Sequence, residues 1–157
     1  MIEIQKGELI LKQAELSDID GLADRIRECD VKEIMASNGL TPREAMEIGI
    51  KHSQFCSVAI HKGTPVGIFG LVKAGENTGC IWMLGTDYLD EIKVCFTRTT
   101  KWAIKIFLGN YPMLYNYVSV ENKKAIDLLH WCGAKFELPA PYGVEKKMFH
   151  KFTIARS

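Results

Sequence analysis

The strand-to-helix bend at Leu84-Gly85-Thr86-Asp87 is where this chain could hold an anion. N–H groups at a helix start point outward and carry the positive end of the helix dipole, so a glycine-rich bend there can cradle phosphate. This bend has one glycine, Gly85, and the helix after it opens with Asp87, Asp90 and Glu91. Each of those acids stabilises the helix by ~0.3–1 kcal/mol, and all three compete with a diphosphate for the same amides. Lys93 and Arg98, farther along, are alternative phosphate ligands. The side chains suited to proton transfer are Tyr115, Tyr117, Glu121, Asp87 and His130. The two tyrosines read equally well as packing residues of a strand. Asp87 and Glu121 stand at helix starts, where a carboxylate caps or compensates the dipole. His130 is a lone histidine on a helix and reads as a surface or packing residue.

Other constellations give less. His52 and Cys56 are four apart, but Cys56 falls in a strand, so helical metal-ligand geometry is absent. The five cysteines are scattered through apolar runs with no zinc-type spacing, which implies free thiols in a reducing compartment and no metal. No serine or cysteine forms a recognisable triad with histidine and an acid. Lys93, Arg98, Lys101 and Lys105 make a basic stripe that reads as a solvated face or a contact for an acidic protein. A formal net charge of +1 gives no general attraction to nucleic acid or to an anionic membrane. No apolar run is long enough to span a bilayer, and no secretion signal is expected.

The elements that must position these residues follow from periodicity. The 157 residues are expected to form one domain. Glu8 to Gln13 alternates as a strand. Ser17 reads as the cap of an amphipathic helix from Asp18 to about Asp30, and Thr41-Pro42 with Glu44 opens a second helix to about Lys51. Phe55 to Ile60 and Val66 to Val72 form a hairpin across His61-Lys62-Gly63-Thr64. Cys80 to Leu84 is a third strand, and Thr86 or Asp87 then caps a long helix that Gly109-Asn110 ends. A strand at 114–119, a helix opened by Asn122, Gly133 as a stop, and a strand from Lys135-Phe136 come next. Leu138 to Gly143 is a loop, and Lys147 to Ala155 is the last strand. Trp82, Trp102 and Trp131 are expected at the sheet–helix interface. The order β-α-α-β-β-β-α-β-α-β-β predicts an α+β fold with a mixed central sheet of about seven strands and about four helices.

That order resembles the GNAT (acyl-CoA N-acyltransferase) superfamily over nearly the whole chain. The local match is Asn122, Ala125, Leu128, Leu129 and Gly133-Ala134, where family members carry Asn-x-x-Ala, an aliphatic residue, Tyr and then Gly-Phe. Leu129 stands at the Tyr position and Ala134 at the Phe position. Within the superfamily, the Trp82-Met83-Leu84 strand, the basic helix and the Asn116-Tyr117-Val118 strand look like the small GNAT-like internal virion proteins of short-tailed phages.

The resemblance implies acetyl-CoA as acyl donor. Its pyrophosphate would sit at Leu84, Gly85 and Thr86, with Lys93 or Arg98 in support and Asn122 near the donor arm. It also implies a slot where Cys80–Leu84 and Leu114–Ser119 splay apart. Asn122 reads equally as a helix cap. The general acid supplied by the family's Tyr is absent at Leu129, which leaves Tyr115 and Tyr117 as substitutes and Glu121 or Asp87 as the base. Two main readings stay open, beside a third, a host-acquired regulator that binds a small acyl-CoA without turnover. One is a phage-type virion or host-interaction component with weak or absent acyl transfer, partnered by virion or host proteins and located in the host cytoplasm or inside the particle. The other is an acetyl-CoA-dependent N-acetyltransferase acting on an unknown amine.

Overall fold

Nine strands form one sheet in this computed structural model, which describes residues 3–157. In chain order the elements are β1 (Ile4–Lys6), β2 (Leu9–Gln13), α1 (Glu28–Asn38), α2 (Pro42–His52), β3 (Phe55–His61), β4 (Thr64–Lys73) and β5 (Thr78–Gly85). Then come α3 (Lys93–Asn110), β6 (Met113–Ser119), α4 (Lys123–Trp131), β7 (Lys135–Phe136), β8 (Ala140–Tyr142) and β9 (Lys147–Ala155). The spatial order is β1-β2-β3-β4-β5-β6-β9-β7, with β8 also on β9. Only β5 and β6 run parallel, so the sheet is mixed and the class is α+β, as the element order predicts. No helix among the described residues is long and apolar enough to cross a membrane.

Local chemistry explains most boundaries. Thr41 and Glu44 form a reciprocal capping box at the start of α2, with bonds of 3.0 and 3.2 Å. Lys62 and Gly63 both have positive φ, 49° and 81°, the twist that a two-residue hairpin between β3 and β4 requires. Asn122 caps α4 by accepting the Ala125 N–H at 3.2 Å. Gly133, with φ 88°, stops that helix.

Several expectations need correction. The sheet has nine strands, not about seven. β1 is an added hairpin strand, and the 140–142 stretch, expected as loop, pairs with β9 as an edge strand. Pro141 suits an edge, where its missing N–H leaves no ladder bond unmade. The 18–30 helix does not form. Residues 16–21 and 23–25 are 3-10 turns, Glu15 rather than Ser17 is the cap, and α1 starts at Glu28. Tertiary pairing overrides the helical period here: Ile26 is extended and bridges Thr86, and the Arg27 N–H donates to the Gly85 carbonyl at 2.9 Å. The long helix starts at Lys93, after a 3-10 segment at Asp87–Ile92. Neither Thr86 nor Asp87 caps it: the Thr86 hydroxyl instead donates to the Val66 carbonyl at 2.8 Å.

The core lies on both faces of the sheet. Ile19, Leu22, Ile34 and Met46 pack one face over Val58, Ile68 and Leu84. On the other face Leu89, Phe96 and Trp102 cover Leu9, Ala59 and Val66, and Ile104, Phe107, Ile126 and Leu129 cover Leu71, Leu114 and Phe152. Trp82 fits the expected interface, donating to Ser53 at 2.8 Å. Trp131 does not; it is 50% exposed, with Lys101 over its ring.

Candidate functional site: a gap in the sheet

β5 and β6 pair over only three positions, Thr78 to Cys80 against Met113 to Tyr115. Beyond Cys80 they separate, and a gap opens between residues 81–85 and 116–119. Asn116 holds its narrow end. Its Nδ2 donates to the Ile81 carbonyl at 2.6 Å and its Oδ1 accepts the Tyr117 N–H at 2.8 Å.

Two carboxylates of α1 close the wide end. Asp30 Oδ2 accepts the Gly85 N–H at 2.9 Å and the Arg27 Nε–H at 2.8 Å, and its Oδ1 accepts from Asn122 Nδ2 at 3.1 Å. The Arg27–Asp30 pair is almost fully buried, at 4% side-chain exposure each. Glu33, one turn on, accepts the Ser119 N–H at 2.7 Å through Oε1. Each separated strand end thus has an amide engaged by an internal carboxylate. Burial pushes the Glu33 carboxyl up to about 7; Asp30 adds to the rise, while Ser119, Asn122 and Arg27 oppose it.

α1 is pinned over the gap at both ends. Arg27 is tied to Gly85, and the turn after β8 meets the other end: the Val144 and Glu145 N–H groups donate to the Ser37 and Ala36 carbonyls, both at 3.1 Å. Gly143 makes that approach possible. Its φ is +80°, and a Cβ there would fall 2.5 Å from the Ser37 Cα. Tyr142, just before it, stacks on Tyr117 with ring centroids 3.9 Å apart.

A cavity of about 510 Å³ lies about this gap. Its lining draws on both faces of the sheet, with Ile34, Ala45 and Trp82 on one and Phe96, Ala103 and Phe107 on the other. Glu33, Asp30, Asn116 and the Tyr117–Tyr142 pair supply polar edges to a mostly apolar wall.

Of the residues singled out from sequence as site candidates, Leu84 and Tyr117 line this cavity and the rest do not. Gly85 and Asn122 adjoin it, but their polar groups bond to Asp30. Thr86 is buried against Val66. Lys93 and Arg98 are exposed outside the cavity. Tyr115 sits at the paired end beside Cys80, where burial raises its phenol. Glu121 is exposed in the turn before α4, not in the first helical turn. Leu129 lines the cavity without a proton to give. His130 is exposed beside Phe136. Lys124 bonds Asp90 at 2.7 Å and holds its carboxyl below the usual range.

Sequence reasoning misses Arg27, Asp30, Glu33, Asn116 and Tyr142. The readable signal is Arg27, Asp30 and Glu33 at three-residue spacing, beside the apolar Ile34. It is hidden because the predicted helix ends at Asp30. Among the described residues no cluster of three or more His, Cys, Asp or Glu side chains is placed to hold a metal.

Comparisons with known proteins agree with this architecture. Residues 63–138, just under half of the chain, match a family model described as "Bacteriophage T7, probable scaffold protein Gp13". A sequence comparison with curated proteins finds no match. Solved structures align over almost the full length. A GNAT-family acetyltransferase from Bacillus anthracis shares 17% identity with a TM-score of 0.73, covering 98% of both chains. Ard1 from Thermoplasma volcanium shares 13% with a TM-score of 0.74, covering 96% of this chain and 99% of its own. A ribosomal L7/L12 alpha-N-protein acetyltransferase, solved with coenzyme A, shares 8% with a TM-score of 0.71, covering 98% of both. The chain therefore has the GNAT acetyltransferase fold.

Proposed function

We propose that this chain is a GNAT-fold component of a phage particle, or of its encounter with the host, in which acyl transfer is weak or absent. One observation carries the reading: Asp30 and Glu33 occupy the Gly85 and Ser119 amides at the edges of the gap. The resemblance to the superfamily implies that an acyl-CoA would run its donor arm and pyrophosphate along those strand ends. Here it would meet internal carboxylates already bonded there, then Asp87, Asp90 and Glu91 beyond. These contacts and acids disfavour acetyl-CoA at the gap. The match to a phage scaffold family supports the particle role. The expected partners are other virion or host proteins, and the place is the particle interior or the host cytoplasm.

A second reading, an acetyl-CoA-dependent N-acetyltransferase, is favoured by one feature. The Glu33 carboxyl is raised to about 7, the range suited to a general base, and it edges a cavity large enough for a ligand. Thermal shift with acetyl-CoA separates the two. Ligand that binds only the folded chain stabilises it by linkage. The first reading expects no shift at about 100 µM and no free thiol on adding amines; a rise of several degrees with thiol release supports the second. Recovery of the chain from gradient-purified particles tests the particle role, and its absence from them argues against it.

A further inference from the structure

The half-open cavity's volume of about 510 Å³ falls within the size range of small-molecule sites. Water gains little from walls such as Ile34, Phe96, Ala103 and Phe107, which offer it no hydrogen bonds. The carboxylates of Asp30 and Glu33 lie together at the wide end of the gap, opposite Asn116 at the narrow end.

We propose that this cavity is a binding site for a single-chain aliphatic molecule whose head group donates a hydrogen bond to Glu33. The chain lies among the apolar side chains between α3 and the sheet. The head reaches the α1 edge of the gap. The Arg27 charge is balanced by Asp30 through its Nε–H, so an ionised Glu33 leaves this edge of the cavity net negative. A carboxylate head is therefore refused by charge, whereas an alcohol or an ammonium is accepted. Tyr142, stacked on Tyr117 and backed by the turn that meets α1, closes the site beside Glu33. The site needs no coenzyme, so it stands or falls apart from the acyl-transfer question.

The test uses the full chain at pH 8, where Glu33 is mostly ionised, with 1-decanol, decylamine and decanoate as probes. Decanol or decylamine at about 50 µM should raise the melting temperature by several degrees, and decanoate should leave it unchanged. Glu33→Gln should shrink that discrimination at least tenfold. Ala103→Leu partly fills the cavity between α3 and the sheet and should weaken the response to decanol and decylamine; Ala125→Leu, on α4, serves if the first variant does not fold. Binding of decanoate as tight as that of decanol overturns the proposal. So does a response to no probe, or one that the partly filled variants retain undiminished. Competition between acetyl-CoA and decanol would contradict the reading of weak acyl transfer and leave this site standing.

Discussion

Replacing Glu33 by Gln should change how stability depends on pH, in a direction the structure fixes. The groups around the carboxyl are Asp30 and Arg27 on its own helical segment, the Ser119 N–H from β6 and Asn122 at the start of α4. Burial dominates and lifts the carboxyl from its ordinary 4.5 to about 7. A raised value means the folded chain holds this proton more tightly than the unfolded chain. The contribution is fully present below about 4.5, falls as pH rises, and is lost above about 7. At about 1.36 kcal/mol per pH unit, ionising the buried group costs the folded state about 3 kcal/mol. Gln cannot ionise, yet it keeps an acceptor for the Ser119 N–H. Urea unfolding at pH 5 and pH 8 measures the difference. The native chain should lose about 2.5 kcal/mol more than the variant between those two conditions, because part of the loss is already present at pH 5, and the variant should be the more stable at pH 8. Equal pH dependence in the two chains would refute the placement of Glu33 in a dry gap.

Two further perturbations test the same assembly. Asp30→Ala leaves the buried Arg27 charge unpaired and the Gly85 N–H without its partner, and should cost about 3–5 kcal/mol in urea unfolding; Asp30→Asn, which keeps an acceptor, should cost less. Gly143→Ala forces a side chain onto a left-handed backbone and into Ser37, so it should lose about 1–3 kcal/mol and raise hydrogen exchange at the Val144 and Glu145 amides. An unchanged exchange pattern would mean that the turn does not hold α1.

Much of the fold is legible in the sequence because local chemistry and tertiary packing agree there. The bounds of β9 follow residue for residue from its alternation. The capping box of α2, the Lys62-Gly63 turn and the Asn122 cap come from residues that satisfy their own backbone. The misses fall where a distant strand decides. The helical periodicity of residues 18–30 loses to the bridge between Ile26 and Thr86, which moves α1 onward and turns Asp30 and Glu33 into the gap. Thr86 is a good cap by type, but its hydroxyl finds Val66 on the neighbouring strand. Asn116 looks like any polar strand residue until the strands part beside it. The bend after β5 is glycine-poor and negatively charged in the sequence itself. The stronger obstacle to a diphosphate, Asp30 on the Gly85 amide, comes from 55 residues away.

The central claim is that internal carboxylates hold the two amides that border the gap. Amide-resolved NMR of the full chain, titrated with acetyl-CoA to about 1 mM, examines those amides directly. The account predicts that the Gly85 and Ser119 N–H resonances stay where they are, and that they move when Asp30 or Glu33 is replaced. Saturable shifts of both resonances in the unmodified chain would show the cofactor displacing the carboxylates, and would contradict it.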